Sequence, residues 1–176
     1  MKFHPTELPG AFLVELEPIR DDRGYFARTW CRRELAQHGL DEQLAQCSLS
    51  HNARRGTLRG MHFQRAPHEE TKLVRCCRGA IYDVIVDVRP QSPTHGRWQG
   101  FELTADNDRM LYIPPGIAHG FQTLADEADV FYMISNWYEP SSAAGVRWDD
   151  RAFGIRWPLP VSVISEKDRS YPDYLP

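Results

Sequence analysis

The sequence predicts an all-β protein, folded as a closed antiparallel sandwich or barrel with few short helices. Thirteen prolines and twelve glycines are dispersed through the 176 residues, as is typical of many short strands joined by turns. Only residues 32–38 resemble a helix, which Gly39 would end. Strand-like segments that follow one another at short intervals, with almost no helix, indicate one domain spanning residues 1–176.

The strands can be assigned from the alternation of side chains and the turn residues between them. In residues 80–88, for example, Ile81, Asp83 and Ile85 share one face of a strand, and the residues between them share the other. From Glu139 onward the pattern loosens, and no strand is assigned. The predicted strands cover residues 11–17, 25–30, 43–50, 57–64, 72–77, 80–88, 98–104, 109–113, 119–124 and 129–138.

The sequence favours a cytoplasmic protein. Its start lacks a basic segment followed by an apolar one, and no apolar run approaches about 18 residues, so we expect neither a signal peptide nor a membrane span. The four cysteines show no C-x-x-C spacing, and we expect them to be reduced packing residues.

The net charge of −3 is unevenly distributed. Residues 23–78 contain eleven basic and five acidic side chains, a local charge of +6, so the remainder carries −9. Basic charge concentrated in an acidic protein suggests a small anionic ligand such as a phosphate ester. Nucleic acid is excluded as a partner because the chain as a whole would repel it.

Two segments bring histidines towards one place. Alternation in residues 57–64 puts Gly60, His62 and Gln64 on one face of a strand, with the cations Arg59 and Lys72 close in sequence. A second strand follows a Pro-Pro-Gly turn and opens with His119. We expect both histidines to contribute to one site.

The predicted strand 129–138 adds two phenols. Tyr132 and Tyr138 lie on the same face of this strand. If that face points into the barrel, both phenols reach the cavity; if it points outward, they are ordinary sheet aromatics.

These residues admit two kinds of chemistry. Histidines on neighbouring strands are natural metal ligands, but the usual arrangement in small barrels has two histidines one residue apart, and here Gln64 stands at the second position. His68 and Glu69 could substitute from a loop. The alternative is metal-free proton transfer, with a histidine base, a tyrosine acid and a cation such as Lys72 stabilising an enolate.

Many short motifs together resemble the dTDP-4-dehydrorhamnose 3,5-epimerase family. The resemblance covers nearly the whole chain, in order and at the family's spacing. The motifs are Asp-Asp-Arg-Gly-Tyr-Phe at 21–26, Leu-Arg-Gly-Met-His-Phe-Gln at 58–64, Lys-Leu-Val-Arg at 72–75, Tyr-Asp-Val-Ile-Val-Asp at 82–87, Ser-Pro-Thr-His-Gly-Arg-Trp at 92–98, Ile-Pro-Pro-Gly-Ile-Ala-His-Gly-Phe at 113–121, Trp-Asp-Asp at 148–150 and Ser-Glu-Lys-Asp at 165–168.

The resemblance implies a cupin-type jelly roll that needs no metal or organic cofactor. It implies a homodimer with exchanged N-terminal strands and a C-terminal segment that closes over the site. The substrate would be a nucleotide-linked 4-keto-6-deoxyhexose, inverted at C3, C5 or both, as in the conversion of dTDP-4-dehydro-6-deoxyglucose to dTDP-4-dehydrorhamnose.

The resemblance also implies roles for individual residues. His62 corresponds to the base, Asp168 to the carboxylate that orients it, Tyr132 to the acid and Lys72 to the cation near the C4 oxygen. Tyr138 matches the residue that stacks on the nucleotide base. The positions that match substrate-binding residues are Arg23, Gln46, Arg59, His119 and Lys167.

Three positions depart from the family pattern. Arg28 and Ala143 stand where the family has glutamates, and Ser48 stands where it has an asparagine. We expect Arg28 and Ser48 to be substrate-binding positions whose altered chemistry changes recognition. The machinery for epimerisation is complete in this comparison, whereas the nucleotide and sugar stay open: a GDP- or CDP-linked sugar, or a non-catalytic sugar-nucleotide-binding cupin, are the alternatives.

Overall fold

The computed structural model describes residues 1–175, which form fourteen strands and two short helices. No helix within this range is long and apolar enough to cross a membrane. The elements are β1 (Lys2–Pro5), β2 (Phe12–Glu15), β3 (Ile19–Asp21), β4 (Gly24–Phe26), α1 (Arg32–Gln37), β5 (Gln46–Asn52), β6 (Thr57–Gln64), β7 (Lys72–Arg78), β8 (Ala80–Asp87), β9 (Trp98–Thr104), β10 (Arg109–Ile113), β11 (Ile117–Thr123), β12 (Ala128–Ile134), β13 (Ala143–Gly145), β14 (Val163–Ile164) and α2 (Glu166–Arg169).

Two antiparallel sheets carry the fold. The first has the strand order β1-β2-β10-β7-β12-β5, and the second has the order β13-β6-β11-β8-β9, with β14 added in parallel beside β6. Neighbours in space come from distant parts of the sequence, as expected of a jelly roll. The all-β, cupin-like prediction is confirmed.

The main core lies between the two sheets. Val74 and Leu111 of the first sheet pack against Ile85 and Phe121 of the second, and all four are almost fully buried. Each is one of a set of alternate residues that point inward from its strand. Burial of these apolar faces is what holds the sheets together.

The outer faces of the sheets are also covered. Helix α1 buries Leu35 against the first sheet, and Val84 of β8 packs beneath Val146 and Phe153 outside the second. Strand β8 is therefore buried on both faces, with Ile85 inward and Val84 outward. This matches the two faces predicted from the sequence.

Some predicted boundaries are wrong. Strand β12 ends at Ile134, four residues earlier than predicted, because the Asn136 side chain accepts the backbone N–H of Trp137 at 2.8 Å and donates to Glu69, so it replaces the strand ladder locally. Strand β5 runs to Asn52, so residues 51–52 are strand where a loop was expected.

Five elements were not predicted, namely β1, β3, β13, β14 and α2. Each has only two to four residues, which is too short for a side-chain period to show. Helix α1 was predicted and begins at Arg32 as expected.

Strands β3 and β4 form a hairpin that belongs to neither sheet. Its apolar residues Ile19 and Phe26 are 72% and 70% exposed. An isolated two-stranded hairpin gains little stability in water, and one with exposed apolar side chains is typical of an interaction surface.

The turn after β8 secures the C-terminal segment. The buried Asp87 carboxylate accepts hydrogen bonds from Arg89, Ser92 and Thr94, which fixes this turn. His95 lies in the same turn, and its Nε2 is 3.2 Å from the Tyr174 hydroxyl. The turn at the end of β8 thus helps to position Tyr174 in the C-terminal segment.

We expect Asp87 to make stability sensitive to acid. Burial by itself would raise the pKa of Asp87, but the hydrogen bonds from Arg89, Ser92 and Thr94 outweigh it and hold the pKa at about 2. Because the pKa of Asp87 is lower in the folded than in the unfolded chain, the ionised carboxylate stabilises the fold above about pH 4. This contribution, roughly 2 kcal/mol, is lost as the pH falls from about 4 to about 2. Urea unfolding at a series of pH values should show this loss in the wild type. Asp87→Asn should be less stable at pH 7 and lose less between pH 4 and pH 2, and equal losses would contradict the assignment.

Candidate active site

A cavity opens between the two sheets, beside strand β6. It has two adjoining lobes of about 370 and 270 Å³, and Arg59, His62 and Lys72 line both of them. The larger lobe extends to the C-terminal segment, and the smaller one extends under strands β5, β11 and β12. Cavities of this size can hold a large part of a small-molecule ligand.

His62 forms a close pair with Asp168 at the cavity wall. The distance between His62 Nε2 and Asp168 Oδ1 is 2.6 Å. The imidazole is 40% exposed to the cavity, whereas the carboxylate is only 6% exposed. When Nε2 carries the proton and donates it in a hydrogen bond to the carboxylate, the lone pair of Nδ1 is free to accept a proton from a ligand.

Asp168 is held in place by the N-terminal cap of helix α2 and by the backbone of strand β6. The Ser165 hydroxyl caps helix α2 by accepting the Asp168 backbone N–H at 3.1 Å, and the Gly60 backbone N–H donates to Asp168 Oδ2 at 3.1 Å. Burial alone would raise the pKa of Asp168, but the hydrogen bond and charge of His62, together with the Gly60 N–H, lower it below the ordinary value. The Asp168 carboxyl is therefore ionised near neutral pH, as is needed for a hydrogen-bond acceptor that orients an imidazole.

Strand β6 does not alternate regularly through this region. His62 pairs with His119 across to β11, but Arg59 pairs with Phe121, so the register shifts between them. Gly60 sits at the shift with φ of 129°, and a Cβ there would lie 2.5 Å from Gly120 Cα. The irregularity lets Arg59 and His62, which simple alternation places on opposite faces, line the same cavity. The prediction that Gly60, His62 and Gln64 share one face therefore did not account for Arg59, which lines the same cavity.

Tyr132 and His119 lie next to each other in the smaller lobe. Their rings meet edge to face with centroids 5.9 Å apart. His119 Nε2 is 2.9 Å from Asp83 Oδ2, and both residues are buried. Burial and the nearby Asp83 charge raise the pKa of Tyr132, so its phenol keeps its proton.

Lys72 closes the cavity from β7. Its Nζ is 3.2 Å from the His62 carbonyl oxygen and 3.0 Å from Glu70 Oε1. The cavity therefore combines an imidazole, a phenol and an ammonium group, the set named above for metal-free proton transfer.

Four further predicted residues also line the cavity. Gln46, Tyr138 and Lys167 contact the larger lobe, and Ser48 contacts the smaller. Tyr138, however, lies in the loop after β12 and not on the strand face predicted for it. Its ring is 57% exposed at the rim, so it stays accessible for stacking.

Arg23 and Arg28 are not brought to this cavity. Arg23 lies in the exposed hairpin and pairs with Asp21, and Arg28 pairs with Glu34 at 3.0 Å. Neither the Arg23 nor the Arg28 guanidinium lines the cavity of its own chain.

Sequence reasoning missed Glu70 and Tyr171, which line the cavity, and Asp83, which pairs with His119 behind it. Asp83 could have been found, because it is a carboxylate among the inward-facing residues of a strand buried on both faces. Glu70 and Tyr171 lie in loops, where no periodicity indicates direction.

The residues described offer no ready cation site. Within residues 1–175, no group of three or more His, Cys, Asp or Glu side chains is arranged to hold a metal ion. The nitrogens of His62 and His119 that face carboxylates are already paired with them.

Comparison with known proteins gives one consistent result. The model of the dTDP-4-dehydrorhamnose 3,5-epimerase family matches residues 5–175. A dTDP-4-dehydrorhamnose 3,5-epimerase from Methanothermobacter thermautotrophicus is 43% identical over 173 residues, which are 97% of this chain and 92% of the relative.

Solved structures agree with the sequence comparison. The crystal structure of a dTDP-4-dehydrorhamnose 3,5-epimerase from Bacillus anthracis, with TDP and pyrophosphate bound, superposes with a TM-score of 0.94 at 40% identity and covers 98% of this chain and 99% of that chain. A 3′-monoepimerase from Streptomyces bikiniensis in complex with dTDP-quinovose gives a TM-score of 0.89 at 33% identity, covering 97% and 86%. Both double and single epimerases thus share this fold.

Proposed function

The chain belongs to the dTDP-4-dehydrorhamnose 3,5-epimerase family and is an epimerase, and from this premise we propose that it inverts C3, C5 or both of a dTDP-linked 4-keto-6-deoxyhexose. The observation that carries the proposal is the His62–Asp168 pair, 2.6 Å apart, in a cavity shared with Tyr132 and Lys72. Such a site supplies a base, an acid and a cation without requiring any other group.

The reaction begins with proton removal next to the ketone. His62 Nδ1 takes the proton from C3 or C5, the electron pair of that C–H bond forms a double bond to C4, and the carbonyl π pair moves to the C4 oxygen to give an enolate. Asp168 stabilises the imidazolium that forms. The Lys72 ammonium stabilises the enolate oxygen.

The second half of the reaction delivers a proton to the opposite face. The Tyr132 phenol gives its proton to the carbon as the enolate collapses, and the carbon is inverted. Burial and the nearby Asp83 charge raise the pKa of Tyr132, so the phenol still holds its proton when the enolate forms. His119, fixed by Asp83 behind the phenol, supports the position of Tyr132 and lines the sugar subsite.

The remaining lining residues suit a nucleotide diphosphate. Arg59 and Lys167 are cations for the diphosphate, and the exposed Tyr138 ring is available to stack on the base. Gln46 and Ser48 add neutral hydrogen-bonding groups from β5. Because nucleotide sugars are cytoplasmic metabolites, we also propose that the enzyme works in the cytoplasm.

The direct test is proton NMR in heavy water with dTDP-4-keto-6-deoxyglucose, following the C3 and C5 signals separately. Loss of both signals with formation of the rhamno product supports a 3,5-epimerase, and loss of one supports a single-carbon enzyme. No exchange with this sugar but exchange with a GDP- or CDP-linked 4-keto sugar would overturn the choice of nucleotide. Binding without exchange across the whole panel would overturn the catalytic proposal.

We further propose that the protein is a homodimer in which hairpin β3–β4 of each subunit docks on the other. The hairpin exposes Ile19 and Phe26, and the edge strand β5 exposes Leu49, which is 63% accessible. An unpaired hairpin and an unpaired edge with apolar side chains can cover each other. This docking would let Arg23 and Arg28 reach the partner's cavity.

Replacing Phe26 by aspartate should dissociate the dimer, because a charge would be buried in the interface. Light scattering after size-exclusion chromatography should show a monomer for Phe26→Asp and a dimer for the wild type. Leu175→Asp is the matched control, since Leu175 is 86% exposed and lies outside the hairpin. A monomeric wild type would contradict the proposal.

Complementation then tests whether Arg23 acts across the interface. If it does, mixing inactive His62→Ala subunits with weakly active Arg23→Ala subunits should restore activity. With equal amounts of the two variants and free subunit exchange, about a quarter of all sites should be intact. An unchanged activity after subunit exchange would place Arg23 outside the partner's site.

A further inference from the structure

We propose that Glu70 is a positioning residue for Lys72, holding its ammonium group at the ketone end of the cavity. The two side chains form an ion pair, with Nζ 3.0 Å from Oε1, and they are only 11% and 10% exposed. Glu70 lines the larger lobe together with His62. This inference rests on the proposed function, because it gives a role to a neighbour of the proposed enolate-stabilising cation.

The ammonium group is held by two partners. Glu70 lies on one side of it, and the His62 carbonyl oxygen lies 3.2 Å away on another. An ammonium has three N–H donors, so this arrangement leaves one to point into the cavity. The Lys72 ammonium is thereby held by the backbone of His62, the residue whose side chain is the proposed base.

A lysine in this cavity needs such a restraint. Its charge is carried on a flexible four-carbon stem, and an incoming diphosphate attracts every cation within reach. Arg59 is restrained differently, because its Nε donates to Asn52 Oδ1 at 2.7 Å. Glu70 gives Lys72 a competing carboxylate, which keeps the ammonium beside His62 when the ligand enters.

A carboxylate at this position is expected to weaken binding of an anionic ligand, which a neutral side chain would not do. The cavity is proposed to accept an anion, and a second carboxylate besides Asp168 repels that anion. Pairing with Lys72 cancels much of this repulsion. We therefore expect Glu70 to affect turnover more than binding.

The test compares Glu70→Gln with Glu69→Gln. The two changes are chemically identical and adjacent, but Glu69 is exposed and does not line the cavity. We expect kcat of Glu70→Gln to fall about 10-fold through misplacement of the cation, while KM and the calorimetric affinity for dTDP stay within about two-fold or improve. Glu69→Gln should match the wild type. An unchanged kcat, or parallel losses in kcat and affinity, would overturn the proposal.

A double-mutant cycle shows whether the effect passes through Lys72. In a Lys72→Ala background, Glu70→Gln should cause no further loss, since there is no ammonium left to position. The same 10-fold loss in both backgrounds would show that Glu70 acts independently, and would overturn the inference.

Amine labelling separates this proposal from the proposed function. The rate at which an acylating reagent modifies Lys72, followed by mass spectrometry, does not depend on turnover. It should rise at least about five-fold in Glu70→Gln, because the amine is released from its ion pair. An unchanged rate overturns the positioning role even in an active enzyme, whereas a wild type without proton exchange overturns only the proposed function.

Discussion

His62→Ala is expected to slow exchange of the substrate's C3 and C5 protons by roughly 10²–10⁴-fold, because a positioned general base contributes a factor of this size. The side chain is the proposed base, and Asp168 lies 2.6 Å from its Nε2, where it orients the imidazole. Exchange is measured by proton NMR in heavy water under single-turnover and multiple-turnover conditions. Affinity for dTDP should change little, since the variant keeps Arg59 and Lys167.

The control for this variant is His4→Ala. His4 lies on β1, half exposed, and pairs with Glu15 away from the cavity. Its loss should leave exchange unchanged. If His62→Ala exchanged protons at the wild-type rate, another group would have to be the base, and the assignment of His62 would be wrong.

Tyr132→Phe is expected to separate proton removal from inversion. The phenylalanine keeps the ring next to His119 but removes the only proton that this side chain can deliver. Inverted product should form roughly 10²–10⁴-fold more slowly, while His62 continues to exchange protons on its own face of the sugar. Deuterium would then enter recovered substrate without change of configuration.

Tyr82→Phe is the matched control, because it removes a phenol from the outward face of β8, where Tyr82 packs against Trp157. Its epimerisation rate should equal that of the wild type. Equal rates of inversion in Tyr132→Phe and the wild type would rule out Tyr132 as the acid.

The sequence was most informative where a strand is buried on both faces. In β8, each side chain has a fixed direction because the two cores exclude water, so alternation predicted Ile85 and Val84 correctly. Alternation failed where side chains bond to the backbone, as Asn136 does after β12. It also failed at Gly60, where a register shift reverses the direction of the residues before it.

The site was predictable to different degrees for different residues. His62 and His119 were predicted from their strands to share one site, with Lys72 close in sequence, but alternation left the direction of Tyr132 open, and only the family resemblance assigned it to the site. Asp168 also depended on the resemblance, because it is 106 residues from His62 along the chain. Asp83 follows the same alternation as its neighbours, but its partner is a histidine on another strand, so the pair emerges only in the folded chain.

The C-terminal segment that carries Asp168 lies outside the sheet ladders after β14. It is attached by side-chain contacts: Asp168 to His62 and Gly60, Tyr174 to Asp150 and His95, the Arg147–Asp173 ion pair and the packing of Tyr171 over Gly145. Segments with few contacts open locally with less free energy than the whole domain requires. Transient detachment of this segment would leave both sheets folded but separate the Asp168 carboxylate from the His62 imidazole. We therefore expect proteolytic cleavage within the segment to abolish activity without unfolding the two sheets.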